Sequence, residues 1–164
     1  MASKLHIAPC IWFDTQAEEA AKLYVSIFPD SRIDNVSYYV NEGVEIHHKP
    51  AGSVLTVDFH IGQTRITALN GGPQFKFSEA ISLQVLCDTQ SEIDAYWSKL
   101  SQGGAEGPCG WLKDPFGLSW QIVPSVLHEM IADPDKAKVE RVTKAYLQMR
   151  KFDLAALKRA YEGR

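Results

Sequence analysis

Residues 110–124 read GWLKDPFGLSWQIVP and carry the signals of a β-hairpin. Asp114-Pro115-Phe116-Gly117 has the residue order of a type I turn, because Asp accepts hydrogen bonds at the first position, Pro presets φ at the second and Gly tolerates a positive φ at the fourth. Side chains alternate between the two faces of a strand. The sequence therefore predicts that Leu118, Trp120 and Ile122 face a core, and that Ser119, Gln121 and Val123 face the other way.

An internal repeat links the two halves of the chain. Residues 7–18, IAPCIWFDTQAE, align with residues 81–92, ISLQVLCDTQSE, with identity at Ile, Asp, Thr, Gln and Glu. Each copy is typical of a strand that runs into a helix. Thr15 with Glu18, and Thr89 with Glu92, have the spacing of a capping box, in which the hydroxyl and the carboxylate bind free N–H groups reciprocally. The repeat predicts duplicated strand–helix units.

The spacing of apolar residues extends both units. Amphipathic stripes predict helices from Ala17 to Phe28 and from Ile93 to Leu100, each ended by Pro29 or by Gly103-Gly104. Period-two alternation and turn residues predict strands at 32–40, 54–61, 64–70, 107–113 and 118–123, with a polar loop at 41–52. The last quarter of the chain is predicted to be helical, with Asp153 capping its final helix, and is expected to cover a sheet edge or to form an oligomer interface.

Composition narrows the class of protein. The chain has 164 residues, 45% of them hydrophobic, which suits one compact domain. Its formal charge is -3 with scattered Lys and Arg, so we expect no nucleic-acid partner and no membrane surface partner. The absence of a long apolar run or a signal peptide predicts a cytoplasmic protein. Its 3 cysteines lack a CxxC spacing, which predicts reduced, buried thiols.

Three motifs resemble a known family. Trp12-Phe13-Asp14, residues 69–73 (LNGGP) and residues 109–114 (CGWLKD) with 119–122 (SWQI) are similar to the PhnB-like branch of the vicinal oxygen chelate superfamily, often labelled demethylubiquinone methyltransferase-like. The resemblance implies an α+β fold in which duplicated βαβββ modules, at about 5–72 and 79–124, form curved mixed sheets around a cleft. This domain would span 1–124, with a helical extension at 125–164 packed on it, and the protein would be a homodimer.

The resemblance also implies where a metal would bind. Metal-binding members carry ligands on the first and last strands of each module. The last-strand glutamate falls on Gln121, and the first-strand histidine of the second module falls on Ala80 or Ser82. In the first module the choices are His6 or Ala8, and Ala68 or Asn70. At most one of these is a good ligand, whereas a catalytic transition metal needs about three. We therefore expect no tightly bound metal and no other cofactor.

The sequence leaves two classes of function open. The first is binding of a small organic molecule in the cleft. The alternative is an enzyme, a lyase, isomerase or dioxygenase, in which His6 or His60 acts as base or a metal is recruited with the substrate. Methyl transfer from S-adenosylmethionine is disfavoured, because Gly71-Gly72 is not followed by a helical stripe. No catalytic residue is identified. The predicted cleft residues are Trp12, Asn70, Ser82, Gln84, Trp111 and Gln121, with His6, His60 and Cys109 as minor candidates.

Overall fold

The computed structural model describes residues 7–164, so His6 lies outside the described residues. The chain divides into two compact units, with the boundary between Lys76 and Phe77. Both units combine one mixed four-stranded sheet with helices. The α+β class predicted from the sequence is confirmed. No helix in the described part of the chain is long and apolar enough to cross a membrane.

The first unit contains six elements in chain order. These are β1 (Cys10–Phe13), α1 (Ala17–Ile27), β2 (Arg32–Tyr38), α2 (Val44–His47), β3 (Val54–Ile61) and β4 (Thr64–Asn70). The strand order is β1-β4-β3-β2, with β1 parallel to β4 and the other pairs antiparallel. The short helix α2 lies in the segment predicted as a loop. None of its four residues is buried, so no apolar stripe in the sequence predicts a helix there.

The second unit repeats this plan. It contains β5 (Leu83–Cys87), α3 (Gln90–Ser101), β6 (Ala105–Glu106), β7 (Trp111–Lys113) and β8 (Ser119–Pro124). The order β5-β8-β7-β6, with β5 parallel to β8, matches the first unit strand for strand. The duplicated βαβββ plan is therefore confirmed. Strand β7 is shorter than predicted, because Pro108 lacks a backbone donor and Cys109 and Gly110 both have positive φ.

The predicted hairpin is confirmed between β7 and β8. The Gly117 N–H donates to the Asp114 carbonyl at 2.9 Å, and Gly117 has a φ of 88°. Asp114 is buried, and its Oδ1 accepts hydrogen bonds from the N–H groups of Phe116 and Leu118 at 2.9 and 3.0 Å. Its side chain thus satisfies backbone donors that the tight turn leaves free.

The two helix starts differ, although their sequences repeat. The predicted capping box of α3 is present between Thr89 and Glu92. The predicted box of α1 is wrong: Gln16 is the N-cap residue and makes no side-chain capping bond. Asn70, at the end of β4, supplies the acceptor instead, because its Oδ1 lies 2.8 Å from the Ala17 nitrogen. A residue 53 positions away thus replaces the local cap.

Each sheet buries one face against its own long helix. In the first unit Ala20, Ala21 and Tyr24 of α1 are fully buried with Phe59 and Val57 of β3. In the second unit α3 contacts β5, β7 and β8 through a buried stripe of Ile93, Trp97 and Leu100. Burial of one such side chain contributes about 1.5–3 kcal/mol. The opposite face of each sheet points away from that helix.

Three helices follow β8: α4 (Ser125–Ile131), α5 (Lys136–Tyr146) and α6 (Leu154–Glu162). The segment between α5 and α6 holds the loop before β7, since the N–H groups of Cys109 and Gly110 donate to the carbonyls of Met149 and Arg150 at 2.8 and 2.6 Å. Gly110 is required there, because a Cβ would lie 2.4 Å from the ring of Phe152. The helices belong to the second unit.

The cysteines are all free thiols but differ in exposure. Cys87 is buried, Cys109 is partly buried and Cys10 is exposed. The expectation of buried thiols is therefore wrong for Cys10. This residue lies on the edge strand β1, on the face opposite the buried Ile11 and Phe13.

Candidate functional site

Gln121 lies in the middle of a row of side chains on the open face of the second sheet. It pairs with Gln84 of β5 on one side and with Trp111 of β7 on the other. Neighbouring residues in register point to the same face of a sheet. Trp120 and Ile122, on either side of it in the chain, are buried with α3. The face predicted for Gln121 from the alternation is confirmed.

Ser82 contacts Gln121 directly. It immediately precedes β5, and its Oγ accepts a hydrogen bond of 2.8 Å from Gln121 Nε2. Both side chains are partly exposed. The amide therefore keeps its carbonyl oxygen and one N–H for another partner, since an amide group can make several hydrogen bonds. The pair forms a neutral polar centre on this face.

A groove of about 580 Å³ opens beside this row, lined by residues 105–108 and 111–113 with Glu79 and Ser119. Trp111 belongs both to the groove and to the row of Gln121. Lys113 pairs with Ser119 of β8 across the hairpin and with Ala105 of β6 on its other side. The Lys113 ammonium lies 2.7 Å from Glu79 Oε1, and its hydrogen bond holds the pKa of Glu79 below its usual value.

Ser119 is the unusual residue of the groove. It is 1% exposed. Among the buried side-chain nitrogens and oxygens of residues 7–164, only its Oγ has no hydrogen-bond partner. Buried hydroxyl groups are nearly always hydrogen-bonded, so the unpaired Ser119 Oγ beside the groove is an exception that needs an explanation.

Comparisons with known proteins identify the family of this chain. A family profile described as 3-demethylubiquinone-9 3-methyltransferase matches residues 5–123. The PhnB protein of Bacillus cereus is 31% identical and has a TM-score of 0.63, over 73% of this chain and 99% of that one. The chain belongs to this PhnB-like family.

A more distant structure agrees in fold. The fosfomycin resistance protein FosX of Mesorhizobium loti is 15% identical, with a TM-score of 0.56 over 80% of this chain and 100% of that one. No protein of curated function matches the chain. The PhnB-like family profile ends at residue 123, so the helices α4, α5 and α6 lie beyond it.

The metal positions of the superfamily can be tested on the second unit. Two positions that the resemblance implies for ligands, Gln121 and Ser82 (the latter as the alternative to Ala80), bond to each other, and neither supplies an imidazole or a carboxylate. In the described range 7–164, no group of three His, Cys, Asp or Glu side chains could hold a metal ion. The donors present therefore do not fit the transition-metal site of the superfamily.

In the first unit, the register corrects one predicted position. Cys10 pairs with Thr67 as Gln84 pairs with Gln121, so Thr67 is the counterpart of Gln121. Asn70 pairs with Phe13 on the side that faces α1, contrary to the inward face predicted for it. Its Nδ2 also donates to the Val54 carbonyl at 3.1 Å. The oxygen and the nitrogen of the amide therefore both make hydrogen bonds within this unit.

Trp12 lies on the other face of the first sheet, in register with Leu69. Its indole N–H donates to the Gly72 carbonyl at 2.8 Å. The centroids of the Trp12 and Phe75 rings lie 4.9 Å apart, and the two rings are edge-to-face. A Cβ on Gly71 would lie 2.1 Å from the Trp12 ring. The family motifs around Trp12 and Gly71-Gly72 thus form one packed contact within the first unit.

Two minor candidates, His60 and Cys109, make contacts within their own units. His60 Nδ1 contacts Asp34 Oδ2, and Asp34 also binds Arg32 at 2.8 Å, all in the first unit. Cys109 belongs to the second unit, where its thiol lies 3.6 Å from the Tyr146 carbonyl. Of the predicted residues, the structure brings together Ser82, Gln84, Trp111 and Gln121.

The sequence prediction missed Ser119, Lys113 and Glu79. Alternation offered a signal for Ser119, which lies two residues before Gln121 and so shares its face. The hairpin register offered one for Lys113, the partner of Ser119. Glu79 lies outside any regular element, and nothing in its local sequence points to Lys113.

Proposed function

We propose that this PhnB-like protein binds a small organic molecule on the open face of its second sheet, without a tightly bound metal. The contact between Ser82 and Gln121 carries this proposal, because it joins two neutral hydrogen-bonding groups. The resemblance implies metal ligands at these positions in metal-binding members. The adjoining groove falls in the size range of small-molecule sites, which are mostly apolar with a few polar groups. Gln84 and Trp111 extend the same row.

The methyltransferase activity in the family description is not part of the proposal. A nucleotide-type methyl donor site would use a glycine-rich turn between a strand and a helix. Gly71-Gly72 follow β4, but no helix lies between β4 and β5. The contact of Gly71 with Trp12 accounts for the first of these glycines by packing.

The alternative is a metal-recruiting lyase, isomerase or dioxygenase. One observation favours it: the His60 ring is oriented by the Asp34 carboxylate, as the ring of a general base often is. Under this alternative, His60→Gln would abolish turnover of a copurified compound, whereas under binding alone it would leave affinity unchanged. The predicted homodimer and cytoplasmic location stay predictions; light scattering of the purified chain would test the first.

Two measurements test the binding proposal. Mass spectrometry of acid-denatured, freshly purified protein should recover a small organic molecule in stoichiometric amount. Elemental analysis after dialysis should find less than one equivalent of transition metal per chain. One retained equivalent would overturn the metal-free part.

A substitution then locates the molecule. Gln121→Leu should keep the melting temperature of the empty protein, because Gln121 and Ser82 are both partly exposed and water can replace their contact. It should weaken binding of the recovered molecule about fivefold and so reduce the melting shift that this molecule produces, since a lost hydrogen bond costs on the order of 1 kcal/mol. The exposed Gln102 of the same unit gives a matched control, Gln102→Leu, which should change neither quantity. A Gln121→Leu variant that melts much lower when empty yet keeps its full shift would refute the placement.

A further inference from the structure

We infer that the groove beside Trp111 takes an uncharged, flat aromatic molecule that directs one hydroxyl group at Ser119. This inference rests on the proposed function and names the class of ligand for the same face. It follows from three properties of the groove: its unpaired hydroxyl, its aromatic wall and the pairing of its charges.

The unpaired hydroxyl sets the polar end of the ligand. Ser119 Oγ is buried and has no partner among the described side chains and backbone groups. A hydroxyl both donates and accepts, so a ligand hydroxyl meets either need. Because burial without a hydrogen bond is unfavourable, filling this position stabilises the complex more than an apolar contact there would.

The aromatic wall sets the shape. Trp111 lines the groove from β7, next to Ala105, Gly107 and Pro108, which have no polar side chain, and to the charged Glu106. Gly107 lies close against Trp111, since a Cβ on it would come within 2.9 Å of the Trp111 carbonyl oxygen. Aromatic rings prefer offset-stacked or edge-to-face contacts with an indole. A flat ring therefore uses this wall better than a saturated ring does.

The pairing of charges sets the charge of the ligand. Lys113 is neutralised by Glu79 at 2.7 Å. Glu106 accepts a hydrogen bond of 2.8 Å from Trp97 Nε1 and lies 4.0 Å from Arg150. Each charged side chain that lines the groove thus already faces an opposite charge. A charged ligand would lose hydration without gaining a free counter-charge, which is unfavourable.

Four compounds with one methyl group test the class: p-cresol, toluene, p-toluate and 4-methylcyclohexanol. Each is titrated into the ¹⁵N-labelled full chain at pH 7, with the Trp111 indole signal assigned from Trp111→Phe. We expect p-cresol to bind most tightly. Toluene should bind about threefold to tenfold more weakly, the range that one net hydrogen bond produces.

Ser119→Ala gives the decisive comparison. It should weaken the binding of p-cresol to the affinity of toluene, and the affinity for toluene should not change. The empty variant should melt at the same or a higher temperature than the parent, because the substitution removes an unpaired buried hydroxyl. Ser98→Ala, on the exposed side of α3, is the matched control and should change none of these values.

The outcomes separate the two proposals. If p-toluate or 4-methylcyclohexanol binds at Trp111 at least as tightly as p-cresol, or if Ser119→Ala leaves the ratio of p-cresol to toluene affinity unchanged, the ligand class is wrong and the proposed function stands. If p-cresol shifts the signal of Gln121 but not that of Trp111, the assignment of the ligand to the groove is wrong and the proposed function stands. If no compound, including any copurified molecule, shifts a signal of either residue, both the ligand class and the proposed function are wrong.

Discussion

Trp120 Nε1 donates a hydrogen bond of 2.9 Å to Asp114 Oδ2, and both residues are 2% exposed. The same carboxylate holds the N–H groups of the hairpin turn through its other oxygen. One side chain therefore joins the turn to the core of the second unit. This contact fixes where β8 begins, and so where Ser119 and Gln121 lie.

Asp114→Asn should destabilise the protein by about 2 kcal/mol. The amide can still accept from the turn through its oxygen, but its NH₂ group then faces the donor of Trp120. In a Trp120→Phe background that conflict is absent, so Asp114→Asn should cost about 1 kcal/mol less. Urea denaturation followed by circular dichroism measures both differences.

Asp153→Asn is the control for this substitution. Asp153 caps α6 by accepting from the Ala156 N–H at 2.8 Å, on the surface, and Asn caps helices about as well as Asp. Its free energy of unfolding should stay within about 0.5 kcal/mol of the parent. Equal effects at positions 114 and 153 would show that the buried contact contributes nothing of its own.

Asn70→Ala should destabilise the first unit by roughly 2–3 kcal/mol, because it leaves the Ala17 N–H and the Val54 carbonyl without their partner in a buried place. Thr15→Ala should change stability by less than about 0.5 kcal/mol, since Thr15 makes no cap. Thr89→Ala, which removes a formed cap, should cost about 1 kcal/mol. Thermal and urea unfolding of the three variants gives the ranking, and a Thr15→Ala cost equal to that of Thr89→Ala would contradict it.

The helix starts also mark how far sequence alone could predict this fold. Turn residues and alternation are local signals, so the hairpin and the face of Gln121 followed from them. The sequence DTQ-x-E occurs at both helix starts, yet only the second forms its box, because Asn70 reaches α1 from a distant strand.

The site was predictable to the same extent. Ser82 meets Gln121 because β5 and β8 pair in parallel. The resemblance implied only that the two residues belong to the first and last strands of one module. The contact of Lys113 with Glu79 depends on the path of a segment without regular structure, and that path has no local signature in the sequence.

Gly71→Ala should destabilise the first unit by about 1–3 kcal/mol, the usual cost of overpacking. The new methyl group would lie 2.1 Å from Trp12 Cζ2, whereas Trp12 is held by its bond to the Gly72 carbonyl. In a Trp12→Ala background the same substitution should be close to neutral, because the clashing ring is gone. A double-mutant cycle on urea unfolding measures this coupling, and equal costs in the two backgrounds would show that Gly71 is needed for another reason.

Cys87 should resist alkylation in the folded protein, while Cys10 should react first. Cys87 is 1% exposed, and burial, with the nearby carboxylates of Glu92 and Asp88, raises the pKa of its thiol from 9.0 to about 12. Only the thiolate is nucleophilic, so at pH 8 the reactive fraction of Cys87 is roughly 10⁻⁴. Cys10 is exposed on the edge strand β1.

Iodoacetamide labelling followed by peptide mass spectrometry tests this order, with urea-unfolded protein as the control in which all three thiols react alike. The raised pKa also links Cys87 to stability: the neutral thiol favours the folded state fully below pH 9.0, and this contribution is lost as the pH rises from there to about 12. Cys87→Ala should therefore flatten the fall in melting temperature above pH 9.0. Labelling of Cys87 as fast as Cys10 in folded protein at about pH 8 would show that β5 and α3 open readily and that the thiol is not held in the core.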